Sequence, residues 1–314
     1  VRLAGALAAA SGGTFTAQSL PIEDMVLAGG TLMVELAELG RYACALPSYD
    51  CERTESLREP DNSGLLVVSP DGSREVFIRD YDLWVREFET SEETRLTTDG
   101  QQDFGYGTDN AGWTTSDEAV VKWSPDSRKI ATFQHDSRGV GMMYLVNTQV
   151  GHPELQAWKY PLPEDSVIFR ISRIVIDLDR PAGDRVVRFV MPPDQHRSTC
   201  SDHIRCGRSL GDVEWAADSE TLAFVSSSRD HKSAQVRLAD VSTGQITDLF
   251  EEIEATFFES NGWRYLSESN EILWFSQRAN WGHLYLYDAR EGALKSQVTT
   301  GDWNVLDIIE VDES

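Results

Sequence analysis

A chain of 314 residues, 40% hydrophobic and 10% aromatic, can bury a sizeable core and is too apolar to be disordered. Its 28 basic against 52 acidic residues leave a net charge of −24, which repels phosphate backbones and excludes nucleic acid as an expected partner. No apolar run approaches the roughly 18 residues of a membrane-spanning helix, so no membrane span is expected.

Val1–Gln18 opens with one Arg, a short Leu/Ala run and then small residues, a pattern similar to the tail of a secretory signal peptide. Residues 1–27 are read as an N-terminal segment of that kind, which points to an extracytoplasmic location, periplasmic or secreted; a frayed terminus is the alternative. Residues 28–314 are read as the main domain. Thr31–Leu46 reads as part of a first unit or as a short helix. Cys44 and Cys51 are separated by six residues that include Pro47, and Cys200 and Cys206 by five. Two short-range pairs in an exported chain suit local disulfides. The second pair also lies in the run His196, Cys200, His203, Cys206. Soft N and S ligands at short spacing can hold zinc, but this spacing matches no common zinc motif. A disulfide or two unlinked thiols stand ahead of a metal, and no cofactor is expected.

From Leu65 a repeated grammar begins. Val68-Ser-Pro-Asp-Gly, Trp123-Ser-Pro-Asp-Ser and Trp215-Ala-Ala-Asp-Ser each lead into an apolar run, and Tyr265 to Ser276 repeats the pattern. Within the last copy, Trp263–Leu266, Ile272–Ser276, His283–Tyr287 and Leu294–Thr299 are four short strands separated by polar turns. The anchors Val68, Trp123, Trp215 and Tyr265 lie 55, 92 and 50 residues apart. The middle interval is expected to hold two units, one irregular, with strands at Phe169–Asp179 and Arg185–Met191. A four-strand unit recurring every 40–50 residues predicts an all-β fold, a β-propeller of four-stranded antiparallel blades, rather than a sandwich or barrel. Asn304–Val311 reads as one further strand. A propeller left open exposes unpaired edges, so either the ring is incomplete or this strand closes the N-terminal blade as a strap.

The connection Asp99–Glu118 is rich in Gly and Asp and carries Phe104, Tyr106 and Trp113, the kind of loop on which a rigid scaffold mounts binding residues. No G-x-S-x-G nucleophile elbow, glycine-rich phosphate loop or H-E-x-x-H occurs. Adjacent carboxylates such as Asp117-Glu118 and Glu251-Glu252 point to opposite faces of a strand, which argues against a glycosidase couple. By these residues alone the chain reads as a binding or gating scaffold without catalytic residues.

Three segments carry a resemblance. Trp123-Ser-Pro-Asp-Ser-Arg-Lys-Ile-Ala131, Gly151-His-Pro153 with Trp158-Lys-Tyr-Pro161, and Asn280-Trp-Gly-His-Leu-Tyr285 with Thr300-Gly-Asp-Trp303 resemble the N-terminal propeller of the dipeptidyl peptidase IV branch of the prolyl oligopeptidase family. The resemblance covers roughly Leu65 to Val311. It implies an eight-bladed propeller, of which this chain is expected to hold fewer blades. It also implies a following α/β-hydrolase domain with Ser, Asp and His, which is absent here. The implied role is gating substrate for a serine exopeptidase that releases N-terminal dipeptides or short peptides, with a peptide substrate, the missing hydrolase domain and a homodimer as partners. The chain alone is expected to be inactive. The family's Glu-Glu segment, which holds the substrate's amino terminus, corresponds to Trp113–Glu118, where Asp117 and Glu118 would be the ammonium acceptors and Trp113 lies alongside. Phe257, Phe258, Trp263 and Arg264 fall where the family places an aromatic and Arg segment near substrate. A stand-alone propeller serving as a binding module is the rival reading.

Overall fold

The computed structural model describes residues 2–16, 19–28, 31–36, 39–54, 67–108, 117–148, 150–196, 210–258 and 262–312. The chain divides into two compact units, Val1–Gly64 and Leu65–Ser314.

In the first unit, helix α1 (Arg2–Ser11) precedes an antiparallel meander of β1 (Ile22–Ala28), β2 (Thr31–Leu36), β3 (Gly40–Ala45) and β4 (Asp50–Arg53). The alanine-rich stretch has the highest helix propensity, and its Leu7 is buried with Val34, Leu36, Tyr42 and Cys44. Thr31–Leu46, open between strand and helix in the sequence, supplies β2 and β3. Cys44 and Cys51 face one another across β3 and β4 and are joined by a disulfide. Cys200 and Cys206 lie outside the described residues.

The second unit is a succession of sheets. Sheet I comprises β5 (Val67–Val68), β6 (Arg74–Arg79), β7 (Asp82–Glu87) and β8 (Glu93–Arg95). Sheet II is built on β10 (Lys122–Trp123), β11 (Lys129–Asp136), β14 (Arg170–Asp177) and β15 (Val186–Arg188). Two short strands extend it, β9 (Phe104–Tyr106) on β11 and β16 (Asp194–Gln195) on β14. Sheet III is β17 (Val213–Trp215), β18 (Thr221–Ser227), β19 (Ser233–Asp240) and β20 (Ile246–Ile253). Sheet IV is β21 (Trp263–Leu266), β22 (Glu271–Ser276), β23 (His283–Asp288) and β24 (Leu294–Gln297). The apolar faces bury against neighbouring sheets: Ile130, Ile174 and Ile176 of sheet II with Val76 and Leu83 of sheet I, and Phe133, Ile171 and Val175 with Trp215 and Phe224 of sheet III.

The repeat holds at the level of register. Val68 faces Glu75, Trp123 faces Ile130, Trp215 faces Leu222 and Tyr265 faces Ile272, seven residues on in every case. The anchors also lock one sheet to the next. The Trp123 indole donates to Val67 O (3.3 Å) and the Trp215 indole to Lys122 O (3.1 Å), each time the residue before the preceding anchor. At Tyr265 the indole is missing, and the Tyr265 amide instead donates to the Glu214 carboxylate at 2.6 Å.

The turns add a second set of links. Asp71 N donates to Ser127 Oγ (3.1 Å), Asp126 N to Ser219 Oγ (3.2 Å) and Ala217 N to Ser267 Oγ (3.0 Å). Ser127 (φ 61°) and Ser219 (φ 62°) occupy the left-handed turn position that Gly72 (φ 70°) fills in sheet I. Serine pays a steric cost there that glycine avoids, and the inter-sheet bond from its hydroxyl offsets that cost. Ser219→Ala is expected to lower the unfolding free energy in denaturant titration by about 1–2 kcal/mol, since a buried link is lost. Ser267→Ala, at an exposed link, should cost less.

Two expectations are corrected. Among the described residues, the 92-residue interval between Trp123 and Trp215 holds one blade-like sheet with an inserted hairpin, not two four-stranded units. β11 pairs directly with β14 from Lys129↔Asp177 to Asp136↔Arg170, and the chain between them loops out into a separate hairpin, β12 (Met142–Asn147) with β13 (Glu154–Lys159). The hairpin leaves Met142, Tyr144, Val146 and Leu155 exposed. Its base is held by Lys159 on Asp103 (2.8 Å) and by Arg229 on the carbonyls of Pro161 and Leu162. Asn304–Val311 forms no strand. It lies against sheet IV as an irregular strap: Val305 N donates to Gly282 O, Asn304 Oδ1 accepts from Gly282 N, and Ile308 O accepts from Arg264. Val305 and Ile308 are buried while Leu306 and Ile309 are exposed, so its apolar alternation reflects packing on one side without a ladder.

Candidate functional site

The candidate acidic pair lies on the lead-in to β10. Ala119, Val120 and Val121 just after it are buried. Val120 N donates to Gly107 O (2.7 Å) and Val120 O accepts from the buried Thr132 hydroxyl (2.8 Å). This clamp fixes the backbone immediately beyond Asp117, which is exposed, and Glu118, which is half-buried. Gly107 is required at the clamp, because it sits at φ +56° and a Cβ there would stand 3.2 Å from Thr132 Oγ1 and 3.4 Å from Leu83 Cδ2. Trp113 lies outside the described residues.

One residue before Gly107, a polar cluster braces β9. Tyr106 Oη donates to Asp99 Oδ1 at 2.5 Å and accepts from Arg188 Nη2 at 2.5 Å, and Arg188 also reaches Asp99 at 3.4 Å. Burial, reinforced by the Asp99 carboxylate, pushes the Tyr106 phenol well above its ordinary pKa, so it stays a neutral donor.

Arg264 stands on β21 one residue before the Tyr265 anchor, the place Lys122 holds before Trp123. Its guanidinium donates to Trp263 O (2.8 Å) and Ile308 O (3.0 Å) and lies 3.7 Å from Glu214. It thus ties the C-terminal strap to sheet IV. Of the aromatics near it, Phe258 stacks on Trp274 and Trp263 is buried, while Phe257 is exposed and stacks on His231 with centroids 4.5 Å apart. Of the alternative metal ligands, His196 is buried edge-on to His135 at 5.4 Å; Cys200, His203 and Cys206 lie outside the described residues. Among the described residues no group of three or more His, Cys, Asp or Glu is placed to hold a metal.

Residues not singled out in the sequence form a buried polar network between sheets II and III. Arg173 is buried and donates through Nε to Asp194 Oδ2 (2.6 Å), and through Nη2 to Asp212 Oδ2 and Val225 O. Its guanidinium also lies 4.8 Å from the Phe224 ring. Burial alone would lower the Arg173 pKa, but the Asp212 and Asp194 carboxylates outweigh it and hold it above its ordinary value. Beside this network a cavity of about 280 Å³ opens between the sheets.

Consecutive four-stranded sheets linked anchor to anchor define the class as a β-propeller-type domain. Its relatives point one way. A family model described as "Dipeptidyl peptidase IV (DPP IV) N-terminal region" matches residues 41–314. The chain belongs to the dipeptidyl peptidase IV N-terminal region family. A curated relative, "Probable dipeptidyl-aminopeptidase B" of Pyrenophora tritici-repentis (strain Pt-1C-BFP), is 26% identical over 136 residues, covering 37% of this chain and 15% of its own length. The crystal structure of Porphyromonas gingivalis dipeptidyl peptidase 4 superposes with a TM-score of 0.61 at 17% identity, over 93% of this chain and 39% of that one. A second solved structure, from Bacteroides ovatus, gives a TM-score of 0.55 at 15% identity, over 98% of this chain and 43% of its own. The chain therefore spans about two fifths of the length of these solved relatives, and at such identities they speak for the fold.

Proposed function

We propose that this chain is the substrate-admitting propeller of an exported serine exopeptidase that removes dipeptides or short peptides from free amino termini, with the nucleophile supplied by an α/β-hydrolase domain of the whole protein. The observation that carries the reading is the carboxylate pair Asp117-Glu118, just ahead of the Val120–Gly107 backbone bond, in a chain whose family model matches residues 41–314. A substrate ammonium held by one or both carboxylates makes charge-assisted bonds that fix the scissile bond at a set distance from the amino terminus. Propellers of this kind contribute position and selection, since no reacting group is needed from them. Export is supported by the Cys44–Cys51 disulfide, which persists in oxidising compartments.

The test uses the whole peptidase, propeller and hydrolase domains together. Asp117→Asn with Glu118→Gln should lower kcat/KM for a free-amino X-Pro amide about 100-fold, roughly 2.7 kcal/mol, while leaving turnover of an N-acetylated ester unchanged. The 314-residue chain alone should hydrolyse neither. Unchanged selectivity in the double variant would overturn the role of the pair, and turnover by the chain alone would overturn the assignment of the chemistry elsewhere.

A further inference from the structure

The cavity between sheets II and III is lined by Asp194 and Gln195 of β16, Ser226 of β18, Gln235 and Arg237 of β19 and Arg170 of β14, with Glu251 at its rim. Asp194 is more than nine-tenths buried. Its Oδ2 is saturated, accepting from Arg173 Nε at 2.6 Å and Ser226 Oγ at 2.9 Å. Its Oδ1 accepts no hydrogen bond among the described residues, and Arg237 Nη1 stands 4.0 Å from it. The residue is buried, but this oxygen faces the cavity, so a donor entering there can reach it.

The charges around it define that donor. Two lining cations, Arg170 and Arg237, balance two lining carboxylates, Asp194 and Glu251. Arg237 is further paired with Asp248 at 2.6 Å. An anion entering the cavity would meet the Asp194 oxygen, and an ammonium bound there would lie against the Arg237 guanidinium. A hydroxyl does neither: it donates to Asp194 Oδ1 and accepts from Arg237 in the same position. The volume of about 280 Å³ corresponds to roughly nine waters, room for one sugar ring. We propose that this cavity binds a neutral polyhydroxylated ligand of monosaccharide size, with a hydroxyl bridging Asp194 and Arg237. Neither Asp117 nor Glu118 lines the cavity, and the proposal does not depend on the peptidase reading.

Calorimetric titration of the chain tests it, with glucose, galactose, mannose and myo-inositol as probes and acetate and methylammonium as charged controls. At least one polyol should bind saturably with a Kd of about 1–10 mM while neither ion binds. Asp194→Asn perturbs the Arg173 network and can fail to fold, so the decisive variant is Arg237→Met, whose partner Asp248 is two-thirds exposed. With an unchanged thermal midpoint it should weaken that polyol at least tenfold. Absence of saturable binding by every polyol, equal binding of acetate or methylammonium, or an affinity untouched by Arg237→Met each overturns the proposal.

Discussion

Arg173→Met is expected to lower the unfolding free energy by about 3–5 kcal/mol and the thermal midpoint by about 10 °C. The cause is the pair of carboxylates it would leave behind. Asp194 and Asp212 are both buried between sheets II and III and both receive hydrogen bonds from the Arg173 guanidinium. In the native chain the three groups offset one another's desolvation, and the guanidinium is further bonded to Val225 O at 2.9 Å and set against the Phe224 ring. Remove the cation and two buried charges lose the counter-charge of Arg173, which costs far more than the ion pair itself contributes. The companion experiment separates the two effects. Arg173→Met combined with Asp194→Asn and Asp212→Asn should recover at least half of the loss, because amides carry no charge to desolvate. A triple variant as unstable as the single one would show that packing against Phe224, and not charge, is what the network provides.

That network also marks the limit of what the sequence discloses. Sheet IV was legible almost to the residue, since apolar alternation and polar turns fall in step there: the strand expected at His283–Tyr287 is β23, His283–Asp288. The anchors were legible because Trp and the Ser-Pro-Asp turn recur, and the structure shows why they do, each indole and turn hydroxyl bonding the preceding sheet. Spacing failed between Trp123 and Trp215, because residue counting cannot separate an extra blade from a hairpin inserted between two paired strands. Arg173, Asp194 and Asp212 come from three chain segments brought together by β14, β16 and the lead-in to β17; singly, each reads as an ordinary surface charge. Asp117 and Glu118 are candidates through family resemblance alone; no periodicity singles them out, and the backbone bond near them runs from Val120 to Gly107.

Acidification should destabilise the chain by about 3 kcal/mol between pH 6.5 and pH 4 through one residue, His135. Its ring is buried against Phe169 and edge-on to His196, each with centroids 5.4 Å apart, and Nε2 finds no hydrogen-bond partner among the described residues. Burial lowers its pKa from 6.5 to about 4; Asp136 and Asp103 pull the other way, Lys159 adds to the lowering, and burial prevails. The unfolded chain therefore binds a proton near pH 6.5 that the folded chain refuses until about pH 4. Between those values the unfolded state holds more protons, so stability rises with pH across the window and is fully present above it. Carboxylates with lowered values, among them Asp71, Asp126, Asp136 and Asp240 and the glutamates Glu93 and Glu271, lose their contribution only as pH falls below their ordinary 3.8 or 4.5, so the window from pH 6.5 to about 4.5 belongs to His135. His135→Phe places an uncharged ring against Phe169 and should flatten the stability profile from pH 6.5 to about 4.5 while leaving the steeper loss below it. Denaturant titrations at half-unit pH intervals on both chains read the difference directly. Parallel profiles for the two would mean that His135 takes up its proton in the folded state at an ordinary pH, and that a neighbouring group shelters the charge.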